Sequence, residues 1–237
     1  MDVIILISEQ RREVILDLVN TEGSASVIKL AELLDASEST IRRDIIKLDE
    51  EKLLKKVHGG AITIETDHRI DVSSTIRSQQ NQDSKKIIAE KASLLIKEGN
   101  RVYIDAGTTT YEITGFELPK KAVYITNDIL IAQSLIKKSL KVYLPGGELK
   151  ESTMAIVGEE CVESISKWNF DIGFFGTNAV SNSNGYTTPD AGEGLIKRKA
   201  MLKCRKAYVL ADTSKLGKSS AITFGNLEEA ELITEID

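Results

Sequence analysis

Cysteine and histidine are scarce, two of each in 237 residues. Cys161 and Cys204 lie far apart and show no ligand spacing. That excludes a disulfide framework or a zinc site and reads as reduced, structural thiols in a cytoplasmic protein. No metal and no cofactor is expected. Long apolar runs are also missing. Nothing approaches a membrane span, and Val3 to Ile7, preceded by Asp2 rather than by a basic cluster, is too short for a secretion signal. Positive charge is not in excess: the formal net charge is −5. This argues against a generic nucleic-acid coat but not against a reader whose basic surface is local. No repeat or low-complexity tract interrupts the chain. What remains is ordinary for a soluble globular protein, 41% hydrophobic and 28% charged, with length enough for two domains.

The stretch with most chemistry is residues 36–47, ASESTIRRDIIK. An apolar-periodic segment, Val27 to Leu34, precedes it, and Asp35-Ala36-Ser37 breaks the pattern. Ser37 is a good N-cap. Ile41, Ile45 and Leu48 then recur at helical spacing and face inward. Ser39, Thr40, Arg42 and Arg43 are left outside, near the start of the second helix. This is the form of a helix-turn-helix, whose recognition helix sets its N-terminal residues against base edges, with arginines reading guanine or gripping phosphate. Two arginines on an amphipathic helix are often only a solvated face. The flanks decide here. Glu9 to Asn20 supplies a first helix burying Val14, Ile15, Leu18 and Val19. Leu53-Leu54 and Ala61-Ile62 read as short strands around Lys55, Lys56, His58 and the Gly59-Gly60 turn, a wing placed to touch the DNA backbone. Residues 1–60 carry nine Lys+Arg against twelve Asp+Glu. DNA binding must therefore rest on arrangement, with Arg42, Arg43, Lys47, Lys55 and Lys56 gathered on one side.

Residues 9–62 resemble the N-terminal domain of the DeoR family of bacterial transcriptional repressors. The string SESTIRRDIIKLDEEKLLKKVHGGA carries the resemblance, with helix, arginine pair and HGGA wing in register. It implies DNA contacts from Ser37, Ser39, Thr40, Arg42, Arg43 and Lys47 on the helix, and from Lys55, Lys56 and His58 on the wing. Lys52 stands where that family usually has glycine. A left-handed cap costs lysine more than glycine, so a different exit into the wing is expected.

Thr63 to Asp83 is polar and reads as a connection, the linker proper covering 63–76 between a domain over 1–62 and one over 77–237. A helix over Lys85 to Lys97 follows, ended by Gly99. Short apolar runs then alternate with helical segments. The runs are Val102–Ile104, Val123–Ile125, Val142–Leu144, Ile172–Phe175, Tyr208–Leu210 and Leu232–Thr234. The helical segments are Tyr111–Phe116, Asp128–Lys138, Glu159–Lys167 and Gly192–Cys204. This rhythm predicts an α/β domain with a mainly parallel, Rossmann-like sheet. Small and polar residues follow five of the strands, DAGTTT, TND, PGG, GTN and ADTSK. Ligands of open α/β sheets bind just outside such ends. Gly107 lets backbone N–H groups approach an anion, Thr108 and Thr109 add hydroxyl donors, and Lys215 adds a compact positive charge, which suits a phosphate. Asp105, Asp190 and Glu193, with Asn127 and Asn178, suit sugar hydroxyls.

The resemblance extends over residues 77–237 through DAGTTT, TND, PGGELK, IVGEE, FFGTNAVS, GYTTPD and ADTSK. The effector domain of that family is similar in fold to ribose-5-phosphate isomerase A. The resemblance implies a phosphorylated sugar that releases the repressor from double-stranded operator DNA. Its phosphate falls on Gly107, Thr108, Thr109 and Lys215, and its sugar on Asp105, Asn127, Gly147, Asn178 and Glu193. Gly194 departs from the family's usual alanine and adds backbone freedom beside Glu193. FFGTNAVS and GYTTPD lean toward the branch that controls sugar-phosphotransferase operons, with fructose 1-phosphate as a candidate effector. A homo-oligomer, dimer or tetramer, is expected, because one helix-turn-helix reads few base pairs and paired half-sites are the usual solution.

The alternative is a sugar-phosphate isomerase-like enzyme, with Glu193 as base. The isomerase has an acidic loop where this chain has Gly176-Thr177-Asn178-Ala179, and a lysine- and glycine-rich loop where it has Tyr186-Thr187-Thr188-Pro189-Asp190. Binding groups remain while reaction groups are missing, so no catalysis is expected. A DNA-binding scaffold without a ligand would leave the five strand-end loops without a purpose.

Overall fold

The computed structural model describes residues 8–22, 24–57, 59–62, 78 and 80–236. The chain divides into two compact units, residues 1–67 and 68–237. The linker expected over 63–76 lies outside the described residues.

In the first unit, α1 (Ser8–Glu22), α2 (Val27–Leu33) and α3 (Glu38–Glu50) enclose a small core. Ile15, Val19, Leu30, Ile41, Ile45 and Leu48 are buried there, while Val14 and Leu18 reach only half-burial. Both later helices start on a serine. The Ser26 hydroxyl accepts from Lys29 N at 3.1 Å and the Ser37 hydroxyl from Thr40 N at 3.2 Å, satisfying helix-end donors. Between them Asp35 takes a left-handed conformation, φ 45°. Asp44 turns inward from α3 and is held by Arg11 at 2.6 Å.

The wing is built differently from expectation. Its strands are β2 (Lys55–Val57) and β3 (Gly60–Ile62), and β1 (Ser24–Ser26) adds a third strand in the order β1-β3-β2. Leu53-Leu54 is not a strand. Leu53 N returns to Leu48 O at 2.8 Å, and Leu54 fills the core at 1% exposure, so pairing begins only at Lys55. The exit from α3 also departs from expectation: Lys52 adopts the left-handed conformation itself, φ 56°. Gly60 is required by contact, since a Cβ there would sit 2.3 Å from Ala25 O.

The second unit holds the six expected strands in one sheet: β4 (Arg101–Ile104), β5 (Val123–Thr126), β6 (Lys141–Tyr143), β9 (Ile172–Gly176), β12 (Ala207–Leu210) and β14 (Glu231–Ile233). All pairings are parallel, in the order β14-β12-β9-β4-β5-β6. Both faces are covered, which is why the strands read as unbroken apolar runs. Alternate residues feed separate cores. Val102, Ile104, Phe174 and Leu210 meet α4 (Gln82–Leu94) and α6 (Ile129–Lys137). Tyr103, Phe175 and Val209 meet α7 (Glu159–Ser166) and α8 (Ala191–Met201). The expected helix over Tyr111 to Phe116 is a short α5 (Thr108–Tyr111) running into a 3₁₀ turn, Glu112–Gly115. Two antiparallel additions are not apparent from the sequence: the hairpin β7 (Glu148–Lys150) with β8 (Ala155–Val157), and a sheet of β10 (Ala179–Ser181), β11 (Gly185–Thr188) and β13 (Ile222–Gly225).

The strand order has one reversal. From β4 the chain moves outward through β5 and β6, then returns to pair β9 on the other side of β4 and continues through β12 to β14. The switch point therefore lies between β4 and β9, where a crevice at the carboxyl ends is expected.

Candidate functional site

The outer face of α3 carries the residues expected to meet DNA. Ser39, Arg42, Arg43 and Lys47 are exposed, as are Lys55 and Lys56 on the wing. His58 lies outside the described residues. The hydroxyls are already engaged: Ser37 Oγ lies 2.9 Å from both Ser39 Oγ and Thr40 Oγ1 while capping the helix, so Ser37 shapes the helix start. Arg42 Nη2 donates to Glu38 at 3.0 Å, one turn back on the same helix. Wing and helix are tied where Lys56 N donates to Asp49 Oδ1 at 2.9 Å. Arg42, Lys56 and Gly59 line a shallow groove between them. Ile46 is 38% exposed between Arg42 and Arg43 on this face, an apolar residue that the inward-facing periodicity of Ile41, Ile45 and Leu48 did not reveal.

In the second unit, a cleft opens at the switch point. Gly107, Thr108 and Thr109 follow β4, Asn178 follows β9, Lys215 follows β12, and Glu193 stands at the start of α8. Thus three of the five strand-end loops converge. The other two follow β5 and β6, on the far side of the reversal. Asn127 is a buried brace rather than a lining residue: its Oδ1 accepts from Tyr103 Oη at 3.0 Å and Ala106 N at 3.1 Å, and its Nδ2 donates to Ile156 O at 3.2 Å. Gly147 also stands apart from the lining; a Cβ there would lie 2.4 Å from Val157 O. Asp105 is 1% exposed and engaged beneath the cleft, ion-paired with Lys197 and accepting from Gly176 N at 3.1 Å. Burial drives its carboxyl above the ordinary value, Lys197 opposes this, and nearby Glu193 adds to it.

Glu193 is held from a hairpin that the sequence reading did not connect with it. Its Oε1 accepts from Thr153 Oγ1 at 2.8 Å and Lys150 Nζ at 3.1 Å. Lys150 also meets Asp190, the N-cap of α8, at 2.9 Å. Burial pushes the Asp190 carboxyl up, but donors from Glu193 N and Lys150 outweigh it and hold the group below the usual range. Gly194 makes room for Ile222, whose Cγ2 would lie 2.8 Å from a Cβ at 194.

Sequence reasoning missed Lys85 and Lys197, both in the lining and both nearly buried. Their signal was phase. Lys85 falls three residues before Ile88 on the inward stripe of α4, and Lys197 lies between Ile196 and Ala200 in α8. Lys197 Nζ also stands 5.7 Å from the Phe224 ring centre. Asp128, the N-cap of α6, accepts from Leu130 N at 2.7 Å and Ile131 N at 3.1 Å, and from Gly107 N. Burial raises its carboxyl to about 6 against those donors. Hydroxyls, an amide and lysines thus surround a cleft whose carboxylates are paired. The chemistry is that of holding an anion on a polyhydroxy body. Among the described residues no His/Cys/Asp/Glu cluster could hold a metal ion, and no helix is long and apolar enough to cross a membrane.

Two family models match: the DeoR-like helix-turn-helix domain over residues 11–67 and the DeoR C terminal sensor domain over 80–235. The uncharacterized HTH-type transcriptional regulator FruR of Bacillus subtilis is 40% identical over 97% of this chain and 91% of its own length. GlpR of Haloferax volcanii is 35% identical, covering 96% and 89%. The lactose phosphotransferase system repressor of Staphylococcus aureus is 32% identical, covering 93% and 88%. Ribose 5-phosphate isomerase A of Methanocaldococcus jannaschii superposes with a TM-score of 0.42 at 17% identity, over 58% of this chain and 55% of that one.

Proposed function

Because the chain belongs to the DeoR family of helix-turn-helix transcriptional regulators, we propose that it represses a sugar-metabolism operon and leaves its operator when a phosphorylated sugar fills the cleft. The observation that carries this reading is the convergence of Gly107, Thr108, Thr109 and Lys215 at the switch point between β4 and β9. Thr108 and Thr109 open a short helix in the cleft lining, where first-turn N–H groups have no intrahelical partner and can serve an anion beside a lysine. Asn178 and Glu193 stand beside them for the sugar hydroxyls. The chain carries no turnover: Glu193 Oε1 is bound by Thr153 and Lys150, and Asn178 offers an amide where a base would be required. On the DNA side, Arg42 and Arg43 reach base edges, while Lys47, Lys55 and Lys56 meet phosphates. Two copies on paired half-sites, in the cytoplasm, complete the reading.

The test measures affinity for an operator duplex at fixed salt, with fructose 1-phosphate, fructose or inorganic phosphate added. The phosphate ester should weaken operator binding by roughly 5- to 150-fold, the usual range of allosteric coupling, and fructose should not. Lys215→Ala removes a charge-assisted contact and should cost about 1.5–3 kcal/mol of effector affinity while leaving operator binding intact. Arg43→Ala should cost about 1–3 kcal/mol of operator affinity. An unphosphorylated sugar as effective as its phosphate would overturn the anion site, and an unchanged Arg42→Ala/Arg43→Ala double variant would overturn the DNA face.

A further inference from the structure

The cleft has a fifth contributor besides the three strand-end loops and α8. Gln80 and Asn81, where the chain enters α4, line it together with Gly107, Asp212 and Lys215. Asn81 is the N-cap residue of α4, yet its side chain makes no capping bond. It adopts a left-handed backbone, φ 52°, and its amide reaches 131 positions along the chain instead: Nδ2 donates to Asp212 Oδ1 at 3.0 Å and to Ser214 Oγ at 3.3 Å. Asp212 is 2% exposed and holds the turn Thr213–Lys215, accepting from Ser214 N at 3.1 Å. That turn carries Lys215.

The far end of α4 fastens the same turn by a second route. Lys91 Nζ donates to Thr234 O at 2.9 Å and to Glu235 O at 3.3 Å. The Glu235 carboxylate in turn accepts from Thr213 N at 3.1 Å and Thr213 Oγ1 at 2.7 Å. The Lys215 turn is therefore suspended between the two ends of one helix. α4 starts a few positions after residues 63–77, and those residues join it covalently to the helix-turn-helix unit.

We propose that Asn81 is a positioning residue of the ligand cleft, setting the Asp212–Lys215 turn and linking its occupancy to the segment that leads to the DNA-binding unit. The proposal rests on the reading of the cleft as an effector site. A ligand gripping Lys215 pulls on Asp212 and Ser214, and through them on Asn81. A ligand biases an equilibrium only through groups it holds differently in the two states, and Asn81 is such a group at the point where the connecting segment arrives.

Two variants of the full-length chain separate the side chain from its backbone. Asn81→Gly keeps the left-handed conformation at a position where glycine is acceptable and removes the amide. Asn81→Asp keeps the size and a tolerated backbone but sets an acceptor against Asp212. Amide hydrogen exchange without ligand is the first readout. Peptides covering 212–216 should exchange faster in both variants, while those covering β4, β9 and β12 match wild type. Unchanged exchange over 212–216 would overturn the proposal, and faster exchange throughout the sheet would reduce Asn81 to a general structural role. The second readout is calorimetric titration with fructose 1-phosphate, alongside operator affinity on a duplex selected by the wild-type chain. Sugar affinity should fall roughly 2- to 10-fold, the loss expected for one hydrogen bond. The release of operator by saturating sugar should shrink by a similar factor. Wild-type sugar affinity and release in both variants would likewise overturn it. If fructose 1-phosphate binds neither wild type nor variants, the effector reading fails for that sugar, and the exchange data still decide whether Asn81 holds the turn.

Discussion

Lys52 carries the clearest local cost in the helix-turn-helix unit. A left-handed conformation costs an L-residue roughly 1–2 kcal/mol, while glycine at the same place loses about 0.5–1 kcal/mol through its freer unfolded chain. The first effect is the larger. Lys52→Gly should therefore raise stability by about 0.5 kcal/mol, read as a higher urea midpoint of the full chain with an unchanged slope. A fall in midpoint would mean that the lysine stem supports Leu53 or Leu54. Other single residues show opposite fates for the same chemistry. Asp105 and Asp44 are both buried and both paired with a cation, one beneath a ligand cleft and one inside a helical core. Their positions, after a strand and within a helix, are legible in the sequence, but their pairing is not, because Lys197 and Arg11 come from far along the chain.

At the level of elements, α6 is tied to the cleft by its own cap. Asp128 serves the first N–H groups of that helix and also Gly107, so one carboxyl couples a helix start to the proposed phosphate loop. Its proton affinity in the fold is raised, to about 6, above the ordinary value near 4. Between those two pH values the folded chain holds a proton that the unfolded chain has lost. The stability contributed by this group is therefore full below about pH 4 and lost as pH rises through 6. Asp128→Asn keeps an acceptor without the titration. Its stability relative to wild type should rise from pH 4 to pH 7, by about 3 kcal/mol at most. A flat difference across that window would show that Asp128 ionises as freely in the fold as outside it.

The same scale explains what the sequence discloses. The six parallel strands are legible because burial on both faces makes each an apolar run. The hairpin β7-β8 and the sheet β10-β11-β13 are not, since segments such as ELK and GYTT have no distinctive pattern and are defined by partners far along the chain. Five strand-end loops are legible as ligand candidates, but strand order selects among them. Asn127 and Gly147 follow strands beyond the reversal, so one became a brace and the other a packing glycine. Thr153 and Lys150 were invisible as partners of Glu193 because a hairpin crossing brings them there.

For the whole molecule, the governing quantity is the coupling between two ligands on one chain. If a sugar phosphate lowers operator affinity by a given factor, the operator must lower sugar-phosphate affinity by the same factor. Titrating fructose 1-phosphate with and without saturating operator should return equal ratios to those of the converse experiment. Unequal ratios would show that a change in assembly state accompanies one of the two binding events. Salt belongs at this scale too. With nine basic and twelve acidic residues in positions 1–60, affinity depends on a few placed cations. The slope of affinity against salt should accordingly be shallow, about one unit for each phosphate contacted.

The suspension of the Lys215 turn between the two ends of α4 has an engineering consequence. Thr234 and Glu235 are bound to α4 by Lys91, and the cleft draws on Asn81, the residue that opens that helix. On the reading proposed above, the groups that register a metabolite lie within residues 80–236, and the covalent lead to the helix-turn-helix unit joins them beside the cleft. Such a module is portable. If Asn81 links the cleft to that lead, another output domain joined there should respond to the same sugar phosphate. A purification tag or fusion at the opposite terminus would instead burden Glu235 and dull the response.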